Sequence, residues 1–315
     1  MNPPFTLADR IARYRTWGRW GSEDDLGSLN HVTAEHVVAA AGLIQTGRTF
    51  SLALPLDSDG PMTGAYGRNN AQHLMMADGG DHLFGAQDEM PSTLRYTDDI
   101  VTMPLQCGTQ WDAFAHIFFD GTSYNGAGPE SVTSAGAARN SITAMKARCV
   151  GRGVLLDVAR AKGLDWLEPG YGITDTDLAE TGEKQGITVG RGDFVLVRTG
   201  AISYRRAEGN WGDYAGGDAP GMHATSADFL CPREVAAVAT DTWGFDVQPN
   251  EIDGVWQPLH ILLLVNAGVL IGEMWDLDAL AEDCAQDGRY EFFLAAQPLT
   301  ITGSVGSPLN PQAIK

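Results

Sequence analysis

The sequence predicts an α/β fold of mixed β-sheets packed with helices, and three observations carry that expectation. Capped helical patterns alternate with short β-rich runs, no stretch of the 315 residues reads as a linker or an internal repeat, and hydrophobic residues at 43% supply a substantial core. One continuous domain over residues 1–315 is the simplest division.

The elements follow in chain order. Thr33-Ala-Glu-His-Val-Val opens a helix with Thr33 as cap and an early Glu35, and apolar residues recur at Val37, Val38, Ala41 and Ile44 up to Gly47. Gly153-Val-Leu-Leu-Asp-Val is a β-rich run. Thr174-Asp-Thr-Asp-Leu announces a second helix, which ends before Gly186. Asp193-Phe-Val-Leu-Val-Arg follows a Gly190-Arg-Gly-Asp turn, as a strand entering a sheet does, and Ile261-Leu-Leu-Leu-Val is the third strand candidate. Gly151-Arg-Gly and Gly190-Arg-Gly both count as turn signals. Two segments, Asp57 to Gln72 and Tyr204 to Phe229, show no periodicity but carry glycines and the aromatics Tyr66, Trp211 and Tyr214. Loops that long in a compact domain are functional lids or disordered, and the aromatics favour lids.

Charge narrows the function classes. Lys and Arg number 21 against 40 Asp and Glu, a net charge of −19. Such a surface repels phosphate backbones and anionic lipid, which argues for a small-molecule substrate, no nucleic acid and no membrane partner. The first twenty residues carry charge throughout and lack an apolar signal region. The apolar run Ile261 to Gly272 is too short to span a bilayer. Cys107, Cys149, Cys231 and Cys284 are scattered, as expected of reduced thiols in a cytoplasmic protein.

Several chemistries lose support by inspection. There is no G-x-S-x-G elbow, no Walker loop, no full G-x-G-x-x-G and no H-E-x-x-H. The informative stretch is Leu105-Gln-Cys-Gly-Thr-Gln-Trp-Asp-Ala-Phe-Ala-His-Ile-Phe-Phe-Asp-Gly, with Tyr124-Asn-Gly beyond it. Gln106, Gln110, Asp112 and His116 sit at even spacing: one face of a strand, while on a helix Asp112 and His116 are i, i+4 neighbours. Either geometry converges oxygen and nitrogen donors. Farther on, His260 and Glu273 bracket the apolar run, read as a buried strand-turn-strand, where ionisable ends require partners or a metal. Each residue also has a plain structural alternative: His116 a satisfied core histidine, Asp112 a helix cap, Glu273 a surface residue.

This stretch resembles the cyclase family that includes bacterial kynurenine formamidase and isatin hydrolase. The family pattern H-x-G-T-H-x-D-x-P-x-H appears here as Gln106-Cys-Gly-Thr-Gln-Trp-Asp-Ala-Phe-Ala-His116. Trp17-Gly-Arg-Trp-Gly with Gly27-Ser-Leu-Asn resembles the N-terminal signature of the family. Gly151-Arg-Gly-Val-Leu-Leu-Asp-Val, Gly192-Asp-Phe-Val-Leu-Val-Arg-Thr-Gly and Asp241-Thr-Trp-Gly resemble its central strands. Pro298-Leu-Thr-Ile-Thr-Gly-Ser-Val-Gly-Ser-Pro308 resembles its closing segment.

The resemblance implies the family's swivelling β/α fold, a homodimer or higher homo-oligomer, and metal-assisted hydrolysis of a small amide, ester or lactone. Carried over by position, the metal ligands fall at Gln106, Gln110, Asp112, His116, His260 and Glu273. Both histidines of the first metal position are glutamine here, and the motif's proline is Phe114. The second position of two-metal members retains Asp112, His116, His260 and Glu273, so one divalent ion, Zn²⁺ or Mn²⁺, is expected there. A rival placement uses Asp112 with the two glutamine carbonyls and leaves His116 free. A third reading makes Gln106 and Gln110 polar pocket residues. A bound ion would activate water near neutral pH and polarise the scissile carbonyl, with a Gln110 amide N–H available to an oxyanion. His116, if free of metal, is the first candidate for carrying the proton to the leaving group, and Glu273 the reserve. Trp111, Phe114, Phe118 and Phe119 surround the motif and are candidates for a flat pocket that would suit an aromatic or cyclic substrate, with the core an equal alternative for most of them. A non-hydrolytic cyclase or dehydratase on the same metal, or a metal-free binding protein, stand as alternatives.

Overall fold

The computed structural model describes residues 6–315. At its centre lies a nine-stranded sheet. In chain order its strands are β1 (Thr49–Ser51), β2 (Gln110–Asp112), β3 (Val150–Asp157), β4 (Phe194–Arg198), β5 (Ala237–Thr240), β6 (Leu270–Glu273), β7 (Glu291–Ala295), β8 (Gly306–Pro308) and β9 (Gln312–Ile314). Their spatial order is β1-β9-β7-β3-β4-β5-β6-β2-β8. The four inner strands β3 to β6 run parallel, and the strands on either side pair antiparallel.

Parallel strands require crossovers that lay helices on the sheet faces, so the inner strands are apolar on both sides. Every residue of β4, Phe-Val-Leu-Val-Arg, is accordingly buried. The principal helices are α1 (Leu7–Tyr14), α2 (Ala34–Ala41), α3 (Asp175–Gln185), α4 (Ala201–Glu208) and α5 (Asp278–Asp287). Thr174 caps α3 in a reciprocal pair with Asp177, and Gly186 closes it at φ 66°. Thr33 caps α2 as expected, but that helix ends at Ala41, short of Gly47, and leaves Val38 exposed.

Three expectations are corrected. Gly151-Arg-Gly is not a turn but part of β3; Gly151 and Gly153 make room there for the rings of Phe194 and Phe292 on the neighbouring strands. Ile261–Val265 is not a strand: a helical turn Pro258–His260 continues as the π-helix Ile261–Ala267, every residue of it buried. A short apolar run bounded by turn signals fits a buried helix as well as a buried strand, and here it is a crossover helix. Tyr204 to Phe229 is only partly irregular, since it contains the end of α4, the short strand Gly221–Met222 and the helical turn Ala227–Leu230.

Two more features lie at the margins of the sheet. Gly27 and Gly268, both at positive φ, lie so close that a Cβ on Gly27 would overlap the Gly268 carbonyl, and Ser28 N donates to that carbonyl at 2.6 Å. The N-terminal segment is thereby pinned to the turn between the π-helix and β6. Separately, residues 72–102 leave the sheet as an antiparallel ribbon of Gln72–Ala77 with Asp98–Thr102, closed by the short helix Gly79–Leu83. It exposes Leu74, Met76, Leu83 and Phe84.

Candidate metal centre

The site forms where β2 crosses from one neighbour to the other. Gln110 stands opposite Glu273 of β6, and Asp112 stands between Ile271 of β6 and Gly306 of β8. Strand alternation puts Gln110 and Asp112 on one face and Trp111 on the other. Trp111 packs edge-on against Trp275 at 4.6 Å and donates to the Ala296 carbonyl. His260 arrives from the first turn of the crossover helix. Ligand atoms of Asp112, His260 and Glu273 all lie within 4.8 Å of one another, and all three residues are buried.

The polar contacts are specific. His260 Nε2 is 3.4 Å from Glu273 Oε1 and 3.8 Å from Asp112 Oδ2. Its Nδ1 contacts Asp246 Oδ2 at 2.6 Å, while Asp246 Oδ1 accepts from the Leu259 amide at 2.7 Å. Asp246 therefore fixes the imidazole and leaves Nε2 as its free ligand atom, the carboxylate–histidine arrangement common behind metal ions. The Gln110 amide donates to Glu273 Oε2 at 2.8 Å and to Asp112 Oδ1 at 3.2 Å. Asp112 Oδ2 and Gln110 Oε1 are buried without any hydrogen-bond partner. Buried oxygens left unpaired are costly, and here they sit beside two carboxylates and an imidazole. That donor set fits a divalent cation.

The electrostatics are those of buried carboxylates gathered around one imidazole. Burial pushes the Glu273 carboxyl up to about 7, and the Asp112 charge adds to it. Burial also opposes ionisation of Asp112, but His116 and His260 outweigh it and hold its pKa below the ordinary value. Burial disfavours the His260 cation, yet Asp112, Asp246 and Glu273 together raise it well above the usual imidazole. The His116 pKa is lowered by burial despite the pull of Asp112, so this ring is neutral at pH 7.

Of the six residues expected at the metal, the structure gathers Asp112, His260 and Glu273 with Gln110 against them. His116 is not in the three-residue group. The chain leaves β2 after Asp112 and turns through a 3₁₀ segment, Phe114–His116, so neither the strand nor the i, i+4 geometry continues to it. It instead borders a cavity of roughly 430 Å³ with Phe118, Phe119, Val255, Trp256 and His260. Gln106 lies against Gly306, where a Cβ would collide with its amide, and its Nε2 has no partner. Trp111 and Phe114 belong to the core, not to a pocket: both are fully buried, and Phe114 packs on Tyr124. Phe118 does line the cavity.

Two residues carry no mark in the sequence. Asp246 lies 14 positions before His260 in no recognisable motif; its only sign is an acidic residue between the apolar Phe245 and Val247. Arg68 lies in the aperiodic segment 57–72, and its charge is felt at Asp112, His116 and Glu273. For Asp246→Asn, the expected result is a 10- to 100-fold weaker divalent metal affinity, roughly the effect of losing such a supporting carboxylate. Calorimetric titration of the metal-free chain checks it, and unchanged affinity would remove Asp246 from the site.

Comparison with known proteins places the fold. A family model described as putative cyclase matches residues 30–247. A solved structure described as a novel cyclase is 41% identical, covers 97% of this chain and 99% of its own, and superposes with a TM-score of 0.87. Isatin hydrolase A from Labrenzia aggregata, solved with benzyl benzoate, is 22% identical over 89% of this chain and 97% of its own, TM-score 0.61. A predicted metal-dependent hydrolase from Bacillus stearothermophilus is 18% identical over 85% of this chain and 98% of its own, TM-score 0.52. No curated protein matches the chain. The last two structures share the fold.

Proposed function

The chain belongs to the cyclase family, and from that premise we propose that it is a divalent-metal-dependent hydrolase of a small aromatic or cyclic amide, ester or lactone. The observation that carries this reading is the buried Asp112–His260–Glu273 group with two unpartnered oxygens, beside a cavity. One ion, Zn²⁺ or Mn²⁺, would be held by His260 Nε2 and the two carboxylates. The oxygen-rich donors, with Gln110 Oε1 in reserve, tilt the choice to Mn²⁺. Such an ion supplies water activation near neutral pH and carbonyl polarisation.

The chain's own residues do the rest. Gln110 holds both carboxylates in place through its amide, and Asp246 orients His260. His116, neutral and at the cavity wall, takes a proton from the attacking water and returns it to the leaving group. Phe118, Phe119 and Trp256 line the cavity and offer flat walls to a ring. The rival placement, with the ion on Gln106, Gln110 and Asp112, has less support, because the buried donors that converge within 4.8 Å are those of Asp112, His260 and Glu273.

Metal content of the natively purified chain, by elemental mass spectrometry, tests the reading. About one Zn or Mn per chain supports it; no metal after incubation with either ion sinks it and promotes a binding protein. Acid release with incorporation of labelled oxygen from water separates hydrolysis from cyclisation or dehydration. Metal affinity should also fall with acidity. In the metal-free chain Glu273 is protonated below about 7 and His260 is protonated at neutral pH, so binding expels protons. Between pH 7 and 6 the affinity should drop at least about tenfold, because each expelled proton contributes a factor of ten per pH unit. A flat profile in titrations at both values would contradict that linkage.

The central sheet draws strands from residue 49 to residue 314, which supports a single domain. Four unpaired cysteines support a reducing, cytoplasmic compartment; among the described residues no helix is long and apolar enough to cross a membrane. The exposed apolar side chains of the ribbon support a homodimer, since contiguous patches of that kind mark interfaces. Phe84→Asp combined with Leu83→Asp should convert a dimer to a monomer in sedimentation velocity, and a wild-type monomer would remove the reading.

A further inference from the structure

The segment 57–72 brings a cation to the metal cluster that no part of the protein uses. Arg68 follows a tight turn in which Gly64 N donates to the Arg68 carbonyl and Arg68 N to that of Ala65, at 3.1 and 3.0 Å. Tyr66, in the same turn, stacks on Trp243 at 5.6 Å and meets Trp256 at 5.9 Å. Trp256 in turn lines the cavity that holds His116 and His260. The turn is thus anchored to the wall of the site. Arg68 is half-buried, and its guanidinium makes no hydrogen bond or ion pair with any described residue, whereas most arginines of this acidic chain are engaged by carboxylates. Trp243 Nε1, beneath Tyr66, is a second donor buried without a partner.

We propose that Arg68 is the specificity-determining residue of this site and that it selects substrates carrying a carboxylate beside the aromatic or cyclic portion. The proposal rests on the hydrolase reading for the identity of the reaction. It rests on this chain's residues alone for the anion.

Charge explains the need for it. A chain of net charge −19 repels anions from most of its surface. A divalent ion at the cluster is itself outweighed by Asp112, Glu273 and Asp246, so the loaded centre stays negative. Arg68 brings the sum to neutrality and is felt at Asp112, Glu273, His116 and Cys107. A guanidinium is also the group that meets a carboxylate through two parallel N–H donors. Tyr66, stacked on the buried Trp243, and Trp256 of the cavity wall give the attached ring faces to lie on. The alternative role, in which Arg68 only offsets the buried carboxylates, predicts a change in metal affinity and none in ligand preference.

The test is direct binding of benzoate and of its neutral isostere benzamide to the full chain. Tryptophan fluorescence serves as the readout, with Trp256 in the cavity wall, and each titration is run with Mn²⁺ and again after EDTA. The expected result is a preference for benzoate in both states that collapses in Arg68→Gln by roughly 10- to 100-fold, the range of a hydrogen bond to a charged group. Arg68→Lys should retain part of it, and benzamide affinity should not move. No benzoate binding, no preference in the wild-type chain, or a preference that survives Arg68→Gln would each overturn the proposal. The EDTA titrations keep this outcome separate from the metal reading: a preference there stands even if no ion is ever bound, and its absence there fails the proposal even in an active metalloenzyme. Circular dichroism of both variants confirms that the half-buried position tolerates the change.

Discussion

On the metal-dependent reading, His260→Ala should leave the chain without a divalent ion. The imidazole is the only nitrogen donor in the three-residue group, its Nδ1 is already held by Asp246, and Nε2 faces both remaining ligands. Two carboxylates alone would hold Zn²⁺ or Mn²⁺ far more weakly, so elemental analysis of the purified variant should find none and hydrolysis should vanish. One ion retained would move the site to the glutamines. The variant should also lose stability in a pH-dependent way. Removing a raised-pKa histidine leaves Asp112, Asp246 and Glu273 buried together without their cation, a loss of about 3–5 kcal/mol by comparison with broken buried pairs. The direction with pH follows from His260 itself. Its folded-state pKa is raised well above the ordinary 6.5, so its stabilising contribution is complete below 6.5 and is lost as pH rises through the folded value. The variant should therefore fall furthest below the wild type on the acid side of neutrality and approach it in alkali. Equal differences at pH 5 and pH 8 would show that the carboxylates are not the cause.

His116→Gln should do the opposite: keep the ion and lose the chemistry. The residue lies outside the three-residue group, at the wall of the cavity, with a pKa lowered by burial so that the ring is free to accept a proton at neutral pH. General acid–base groups contribute roughly 10² to 10⁴ in rate, and the loss should fall mainly on kcat. Metal content should stay at about one per chain by the same elemental analysis. Loss of the ion would return His116 to the ligand set implied by the family resemblance. Unchanged kcat would leave Glu273 as the proton carrier.

The features legible in the sequence are local in character. Thr33, Thr174 and Gly186 announce caps because capping depends on residues three or four apart. The strand Phe194–Arg198 stands out because a buried parallel strand is a short apolar run after a turn. The even spacing of Gln110 and Asp112 predicts a shared face, and β2 provides it. The same logic fails at His116, since nothing in the spacing reveals that the strand stops at Asp112. Ile261–Val265 reads as a strand but folds as a helix because five consecutive apolar residues satisfy both equally. Asp246 and Arg68 carry no spacing signal, since their roles depend on where the crossover and the turn come to rest. Nearness in sequence makes Trp111 and Phe114 candidates for a pocket, but alternation and the 3₁₀ turn direct them into the core.

The order of strands also sets when the protein can begin to work. Gln110 and Glu273 face each other across a separation of 163 positions, and β2 finds its second neighbour only at Gly306–Pro308. During synthesis the parallel strands β3 to β5 can leave the ribosome and collapse early, while β2 must wait, unpaired, for both of its partners. Such long-range pairing is slow to form. A nascent chain of this protein therefore carries no assembled centre until β6 and β8 have emerged, and a chain interrupted after β5 would contain Asp112 and Gln110 yet lack both His260 and Glu273.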